Sequence, residues 1–351
     1  MTHVLAGDIG GTKSILSLYR TRGDDPEQSH FESVHKTVYP SARFSHFSDL
    51  VETFLAEVAP LRPSHACLGI AGPILDQRCQ ATNLPWVIDA KALAAAEGFD
   101  DVYLLNDLEA AAHGMLHLDD DEWVELNPRA RPRDGHAAVI AAGTGLGEAI
   151  LAWDGNRHIV LPTEGGHCDF GPNSVLEDKL LVYLRERFGG HVSIERILAG
   201  DGFGNLYDFL RESGHARPDP AIEAEMVGQD RNAVISRHGL QGDDALCRAA
   251  MRLFVRIYGS ETGNLALKCL PRGGIYIGGG IGPRIRPALE SGEFMRGYLD
   301  KGRMARAIED IPLRLALNPE AALLGAAHMA LSRYLRQASG MGTTKKGPRR
   351  A

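Results

Sequence analysis

The stretch LAGDIGGTKSILSLY, residues 5–19, decides the fold. An apolar run enters a glycine-rich connection and a second run leaves it, which predicts two β-strands joined by a turn. Gly7, Gly10 and Gly11 let the backbone turn sharply and bring its amides close to a phosphate, and Thr12 offers a hydroxyl. The stretch matches neither GxxxxGK[ST] nor GxGxxG. A plain β-hairpin with Asp8 capping the turn fits the same residues, so the stretch alone leaves both interpretations open.

A second glycine turn repeats this pattern later in the chain. AAGTGLGEA, residues 141–149, again lies between two predicted strands, so residues 143–153 echo residues 8–19. This internal similarity indicates two lobes built on related units, although glycine hairpins also recur independently in α/β proteins. A third cluster, IYIGGGIGPRI at 275–285, follows a predicted strand and precedes a predicted helix. This position suits close approach of the backbone to an adenosine, and it equally suits ordinary packing of a strand on a helix.

The hydrophobic pattern predicts alternating strands and helices, and therefore layered α/β lobes. The predicted strands are 3–7, 14–20, 65–71, 102–106, 137–142, 147–153 and 274–278. The predicted helices are 47–58, 107–117, 173–188, 200–211, 244–268 and 319–337. A lobe boundary is expected near residue 117, with 119–122 and 129–135 as solvated connections between the halves. The ending 339–351 has no apolar face and is expected to be a disordered tail.

Bulk composition excludes several classes of function. The chain has 351 residues, enough for two lobes, and a formal charge of -7, which offers no positive field for nucleic acid. No apolar run is long enough for a membrane helix, and the start lacks the features of a signal peptide. The five cysteines are scattered without a CxxC pair, which is typical of reduced thiols. We expect a cytoplasmic protein; the sequence leaves open whether it is a homodimer.

VYLLNDLEAAAHG, residues 102–114, contains the candidate general base. The predicted strand ends at Asn106, and Asp107 follows where a carboxylate is directed off a sheet edge, as α/β active sites often require. Asn106 with Glu109 also matches a helix capping box, so these polar residues have a structural interpretation too. The two roles are compatible.

Two further segments carry candidate binding residues. PTEGGHCDFGP at 162–172 places Glu164 and His167 around two glycines, where they suit adjacent hydroxyl groups of a ligand. Metal binding by Glu164, His167, Cys168 and Asp169 is poorly spaced for a closed zinc site. SIERILAGDGFGNLY at 193–207 supplies Glu195, which by spacing alone is a helix-surface carboxylate.

Six ordered segments resemble the bacterial glucokinases of the actin/hexokinase-like superfamily. They are LAGDIGGTK, LLNDLEAAAHG, AAGTGLGEAIL, PTEGGHCDFGP, ERILAGDGFGNLYDFL and IYIGGGIGPRI, and the resemblance covers nearly the whole chain. It implies two ribonuclease H-like lobes around a central cleft. The small lobe would comprise 1–117 and 319–338, and the large lobe 118–318.

The resemblance also implies residue roles for phosphoryl transfer from ATP, with Mg²⁺, to the 6-hydroxyl of glucose. Asp107 is similar to the catalytic base, and Asn106, Asp107, Glu164, His167 and Glu195 to the sugar-binding residues. The ATP contacts implied by the matching loops are Gly7, Asp8, Ile9, Gly10, Gly11, Thr12, Gly143, Thr144, Gly145, Gly279 and Gly280. Independently of the resemblance, Asp8 is a candidate to hold Mg²⁺ through water, since a hard cation prefers oxygen ligands. Two departures are Lys13, where the family is expected to have Asn, and Ala142, where Pro is expected.

Related alternatives are a kinase for another hexose and a sugar-sensing regulator on the same fold. A regulator would need a DNA-binding segment, and the first predicted strand begins at residue 3. The related ROK family follows its EGGH-like loop with a zinc-binding cysteine cluster, whereas CDFGPNSVLEDKL follows His167 here. Zinc is therefore not expected.

Overall fold

The computed structural model describes residues 2–22, 29–81 and 84–339. The chain forms two compact units, one made of Met1–Leu118 with Glu320–Ala351 and the other of Asp119–Pro319. The expected disordered tail, 339–351, lies outside the described residues except for Ser339. No helix in the described ranges is long and apolar enough to cross a membrane.

The first unit contains a five-stranded sheet of order β3-β2-β1-β4-β8 and a small sheet of order β5-β6-β7. Strands β1, β2 and β3 are antiparallel, and β4 and β8 continue parallel to β1. Its strands are β1 (Thr2–Ile9), β2 (Lys13–Arg22), β3 (His30–Pro40), β4 (His65–Ile70), β5 (Ile74–Leu75), β6 (Arg78–Gln80), β7 (Val87–Asp89) and β8 (Asp101–Asn106). Its α-helices are α1 (Phe47–Glu57), α2 (Ala90–Glu97), α3 (Asp107–Met115) and, from the end of the chain, α14 (Ala321–Ala338).

Alternation along β1 explains the two cores of this unit. Leu5 and Ile9 pack with α1 and α2, whereas Val4 and Ala6 pack on the opposite face with α3 and α14. Successive side chains of a strand point to opposite faces, so one strand anchors both helical layers.

The second unit contains a six-stranded sheet of order β12-β11-β10-β13-β14-β9. Its strands are β9 (Trp123–Glu125), β10 (Ala137–Ala142), β11 (Leu146–Trp153), β12 (His158–Pro162), β13 (Gly274–Gly278) and β14 (Leu313–Ala316). Its α-helices are α4 (Val175–Phe188), α5 (Glu195–Leu198), α6 (Gly202–Glu212), α7 (Pro220–Gly228), α8 (Arg231–Gln241), α9 (Ala245–Cys269), α10 (Ile281–Arg284), α11 (Arg286–Leu289), α12 (Glu293–Leu299) and α13 (Ala305–Ile308). Helix α9 packs Phe254 on Phe203 of α6, with ring centroids 4.2 Å apart.

Both large sheets contain the same three-strand arrangement. Strand β1 pairs antiparallel with β2 across a glycine turn and parallel with β4, and β10 pairs antiparallel with β11 across a glycine turn and parallel with β13. The predicted α/β class is confirmed, and each predicted strand and helix coincides with an observed element to within a few residues.

The two expected connections lie in different places in the chain: residues 119–122 begin the second unit directly at its boundary with the first, whereas 129–135 lies within the second unit. Residues 123–125 form the edge strand β9, which pairs with β14 inside the second unit. The 129–135 segment is also part of that unit, where Arg129 contacts Glu309 at 3.2 Å and Arg133 contacts Asp310 at 2.8 Å. Charged side chains at a sheet edge look like a solvated linker in sequence because their partners are far along the chain.

Candidate active site

The first glycine turn joins β1 to β2 and is held by hydroxyl groups from another segment. The Gly10 amide donates to the Lys13 carbonyl at 3.0 Å, which closes the turn. Ser41 Oγ donates to the Gly10 carbonyl at 2.7 Å and lies 2.9 Å from Ser14 Oγ. Ser14 and Ser41 are fully buried. Sequence reasoning missed both serines because a small polar residue within an apolar run carries no local signal for such a contact.

Gly7, Asp8 and Ile9 lie in strand β1 rather than in the turn. A Cβ at Gly7 would lie 2.6 Å from Leu68 Cδ2, so glycine is required there by packing between strands, not by turning. The Ile9 side chain is buried in the core, which leaves only its backbone for a ligand.

Asp8 lies at the carboxyl end of β1 and Asp107 directly after β8, and the two strands flank β4 in the sheet. Asp8 pairs in register with Gly69 of β4, where a Cβ would lie 3.9 Å from Asp107 Cα. Burial raises the pKa of Asp8, the Asp107 charge raises it further, and the Lys13 charge lowers it. These three charges therefore form one electrostatic cluster. Gly69 was not identified from the sequence, although LGIAGP at 68–73 carries a glycine signal.

The capping interpretation of Asn106 and Glu109 is confirmed. Asn106 Oδ1 accepts from the Leu108 amide at 2.9 Å, and Glu109 accepts from the Asn106 amide. Asp107 Oδ1 accepts from the same Leu108 amide at 2.8 Å, and its side chain is exposed. Capping thus fixes the start of α3 while leaving the Asp107 carboxylate accessible.

The second glycine turn, between β10 and β11, is surrounded by other glycines. The Gly143 amide donates to the Gly145 carbonyl at 2.8 Å. Gly279 has φ +80, and a Cβ there would lie 2.2 Å from the Ala142 carbonyl oxygen, so its position requires glycine. A Cβ at Gly143 would lie 4.0 Å from the Gly280 nitrogen. The structure therefore brings Gly143, Gly279 and Gly280 together. Gly200, which the sequence pattern did not indicate, lies beside the same turn.

Glu195 lies against this turn and not on an isolated surface. The Leu146 amide donates to Glu195 Oε2 at 3.0 Å, while Glu195 Oε1 is 3.9 Å from His167 Nδ1. His167 Nε2 is in turn 3.9 Å from Glu164 Oε2. Glu195, His167 and Glu164 thus form one polar group with exposed acceptors. Asp169 lies 2.8 Å from His191, and the described residues contain no group of three or more His, Cys, Asp or Glu side chains placed to hold a metal.

The two sheets and their glycine turns have the actin/hexokinase-like fold of sugar kinases. Comparison with known proteins then shows to which family within this class the chain belongs. The family model described as Glucokinase matches residues 5–333. The chain therefore belongs to the glucokinase family. The glucokinase of Trichormus variabilis is 38% identical over 340 residues, covering 93% of this chain and 98% of the relative.

Solved structures agree with this assignment. The crystal structure of a glucokinase from an Antarctic psychrotroph has a TM-score of 0.82 at 30% identity, covering 95% of this chain and 99% of that one. A ROK family glucokinase from Streptomyces griseus, in complex with glucose and AMPPNP, has a TM-score of 0.61 at 20% identity, covering 94% and 99% of the two chains. The similarity to the Streptomyces griseus structure shows a shared fold alone.

Proposed function

We propose that this protein transfers the γ-phosphate of ATP to the 6-hydroxyl of glucose, with Asp107 as the general base. Membership of the glucokinase family supports the reaction. The observation that supports the base is the placement of Asp107: an exposed carboxylate at the first turn of α3, beside Asp8 and the first glycine turn. A helix N-terminus favours the ionised form of a carboxylate, which is the form that accepts a proton.

Five side chains are proposed to bind the sugar. They are Asn106, Asp107, Glu164, His167 and Glu195. Glu164 and His167 have 90% and 62% exposed side chains, so their polar atoms are open to a ligand. Asn106 contributes through its amide nitrogen, since its Oδ1 is occupied by the helix cap and Nδ2 has one long contact, 3.4 Å to the Gly72 carbonyl.

Backbone amides at both glycine turns are proposed to bind the phosphates of ATP, where donors without side-chain obstruction stabilise spreading negative charge. Residues 7–12 would act from the first turn and residues 143–145 from the second, with Gly279 and Gly280 on the adenosine side.

Asp8 is proposed to hold Mg²⁺ through water. The residues fit a hard divalent cation, because two carboxylates, Asp8 and Asp107, lie close enough for the charge of one to raise the pKa of the other. When bound, the metal would neutralise phosphate charge.

In the proposed step, an Asp107 carboxylate oxygen accepts the proton of the 6-hydroxyl while that oxygen attacks the γ-phosphorus in line, and ADP leaves. The Leu108 amide donates to Asp107 Oδ1, which orients the carboxylate plane.

The first experiment measures ADP release for the wild type and Asp107→Asn with glucose, mannose, fructose and glucosamine. We expect glucose to be the best substrate and Asp107→Asn to lower kcat by roughly 10²-fold or more. Asn retains an oxygen for the Leu108 amide, so glucose affinity measured by calorimetry should change little. Asp89→Asn is a matched control, because Asp89 caps α2 through the Ala92 amide in the same unit. Near-normal kcat in Asp107→Asn would remove Asp107 from the role of base.

A cytoplasmic location is also proposed. All five cysteines are free, and Cys67, Cys79 and Cys247 are buried. Reduced thiols without disulfides are typical of the cytosol.

A further inference from the structure

A buried carboxyl group lies directly beneath the loop that carries Glu164 and His167. Glu148, in β11, is 2% exposed. A Cβ at Gly165 would lie 2.2 Å from Glu148 Oε2 and 2.9 Å from Glu148 Cβ. Gly165 begins the short 3-10 turn Gly165–His167, so this turn is seated on the Glu148 side chain.

The backbone of Glu148 holds the same loop. Thr163 Oγ1 donates to the Glu148 carbonyl at 2.7 Å and accepts from the Gly165 amide at 3.1 Å. A displacement of Glu148 would therefore reach Glu164 and His167 through both its side chain and its backbone.

On its other side Glu148 faces charged and titratable groups of α9. The charge that acts on it most strongly is that of Glu261, which is 5% exposed. Glu261 accepts from Asn264 Nδ2 at 2.9 Å and lies 3.4 Å from Lys268 Nζ. The other titratable groups around this pair are Tyr258, Cys269, Cys168 and Lys301.

The two carboxyls therefore have different partners. Glu261 has a cation and an amide donor, which favour its ionised form. No described group donates a hydrogen bond to Glu148 Oε1, so a charge on Glu148 would be buried and offset only in part, by the charge of Lys268. A hydrogen bond between the two acids requires a proton on one of them. Burial, followed by the Glu261 charge, raises the pKa of Glu148 to about 7.

We propose that Glu148 is a positioning residue for sugar binding, which in its protonated form supports the loop 163–167 and on losing its proton displaces it. The inference rests on the proposed function, in which Glu164 and His167 bind glucose. When Glu148 is ionised, the two neighbouring carboxylates repel each other, which pushes the Glu148 side chain away from Glu261 and against Gly165. Sugar affinity then falls with rising pH, while the catalytic step at Asp107 is unaffected.

The test is the pH dependence of glucose binding, measured by calorimetry and as KM from about pH 5.5 to about pH 8.5. We expect the wild-type KM for glucose to rise by roughly threefold or more above about pH 7, with kcat changing much less. Glu148→Gln is uncharged and of equal size, so it should keep the low KM across the range. Glu261→Gln removes the neighbouring charge and should move the rise in KM to lower pH.

Glu177→Gln is the control, since Glu177 is equally buried but caps the start of α4. Its KM profile should follow the wild type. A Glu148→Gln profile that also follows the wild type would overturn the positioning role while leaving the kinase assignment intact. A wild type that does not phosphorylate glucose would instead overturn the proposed function and this inference together.

Discussion

Glu195 connects two segments of the second unit through a single carboxylate. One oxygen accepts from Leu146, 49 positions earlier, and the other lies 3.9 Å from His167. Its side chain is 28% exposed, so it is held by the protein and still open to a ligand. At the residue scale, this geometry turns an unremarkable surface carboxylate into a candidate sugar ligand.

We predict that Glu195→Gln raises the KM for glucose by roughly tenfold, because hydrogen bonds to a charged acceptor are stronger than those to an amide. Gln can still accept from the Leu146 amide, so folding should be preserved. Each KM is measured by varying one substrate, glucose or ATP, while the other is held at a saturating concentration. Glu212→Gln on α6 is the control. An effect on the KM for ATP with no effect on glucose would place Glu195 outside the sugar site.

At the element scale, helices α3 and α14 cross in close contact through two glycines. A Cβ at Gly114 would lie 1.8 Å from the Ala321 carbonyl oxygen, and one at Gly325 would lie 1.9 Å from the Ala110 carbonyl oxygen. Backbone contacts this short exclude any side chain, so the helix that begins with Asp107 is packed against the last helix of the chain.

Gly325→Ala should therefore force α3 and α14 apart and lower the melting temperature, at a cost of about 1–3 kcal/mol for overpacking. Because α3 begins at Asp107, kcat should fall as well. Gly228→Ala is the matched control, since this glycine ends helix α7 with nothing within 4 Å of an added Cβ. Differential scanning calorimetry compares the two. Equal melting temperatures in both variants would contradict a backbone-limited crossing.

At the scale of the whole molecule, the two units contain desolvated titratable groups that respond oppositely to pH. In the first unit, burial lowers the pKa of His113 and of His117 to about 4 from an ordinary value of 6.5. Their contribution to stability is complete above about pH 6.5 and is lost as the pH falls toward 4. In the second unit, the raised pKa of Glu148 means that its contribution is complete below about pH 4.5 and is lost as the pH rises toward 7.

We predict that the melting transition of the first unit moves to lower temperature between about pH 6.5 and pH 5, before most carboxylates titrate. Trp86 is buried in this unit, whereas Trp123 and Trp153 belong to the second, so fluorescence of single-tryptophan variants reports on each unit. In the double variant H113Q/H117Q, the melting temperature reported by Trp86 should depend less steeply on pH. A slope unchanged by the double substitution would assign the effect to other groups.

The sequence by itself determined the elements of this protein. The apolar runs of β1 and β2 and the glycines at 10, 11, 143 and 145 are local properties, since hydrophobic spacing and backbone freedom act within a few residues. They predicted the α/β class and the two glycine turns. The ordered segments around Asp107, Glu164 and His167 predicted the family.

Only the tertiary structure decided which distant residues meet. It gave Gly7 a packing role against Leu68, placed Ser41 behind the first turn and seated Gly165 on Glu148. It also made 123–125 an edge strand that pairs with β14. These facts depend on contacts between segments far apart in the chain, and no local pattern of hydrophobicity, charge or glycine encodes the identity of a distant partner.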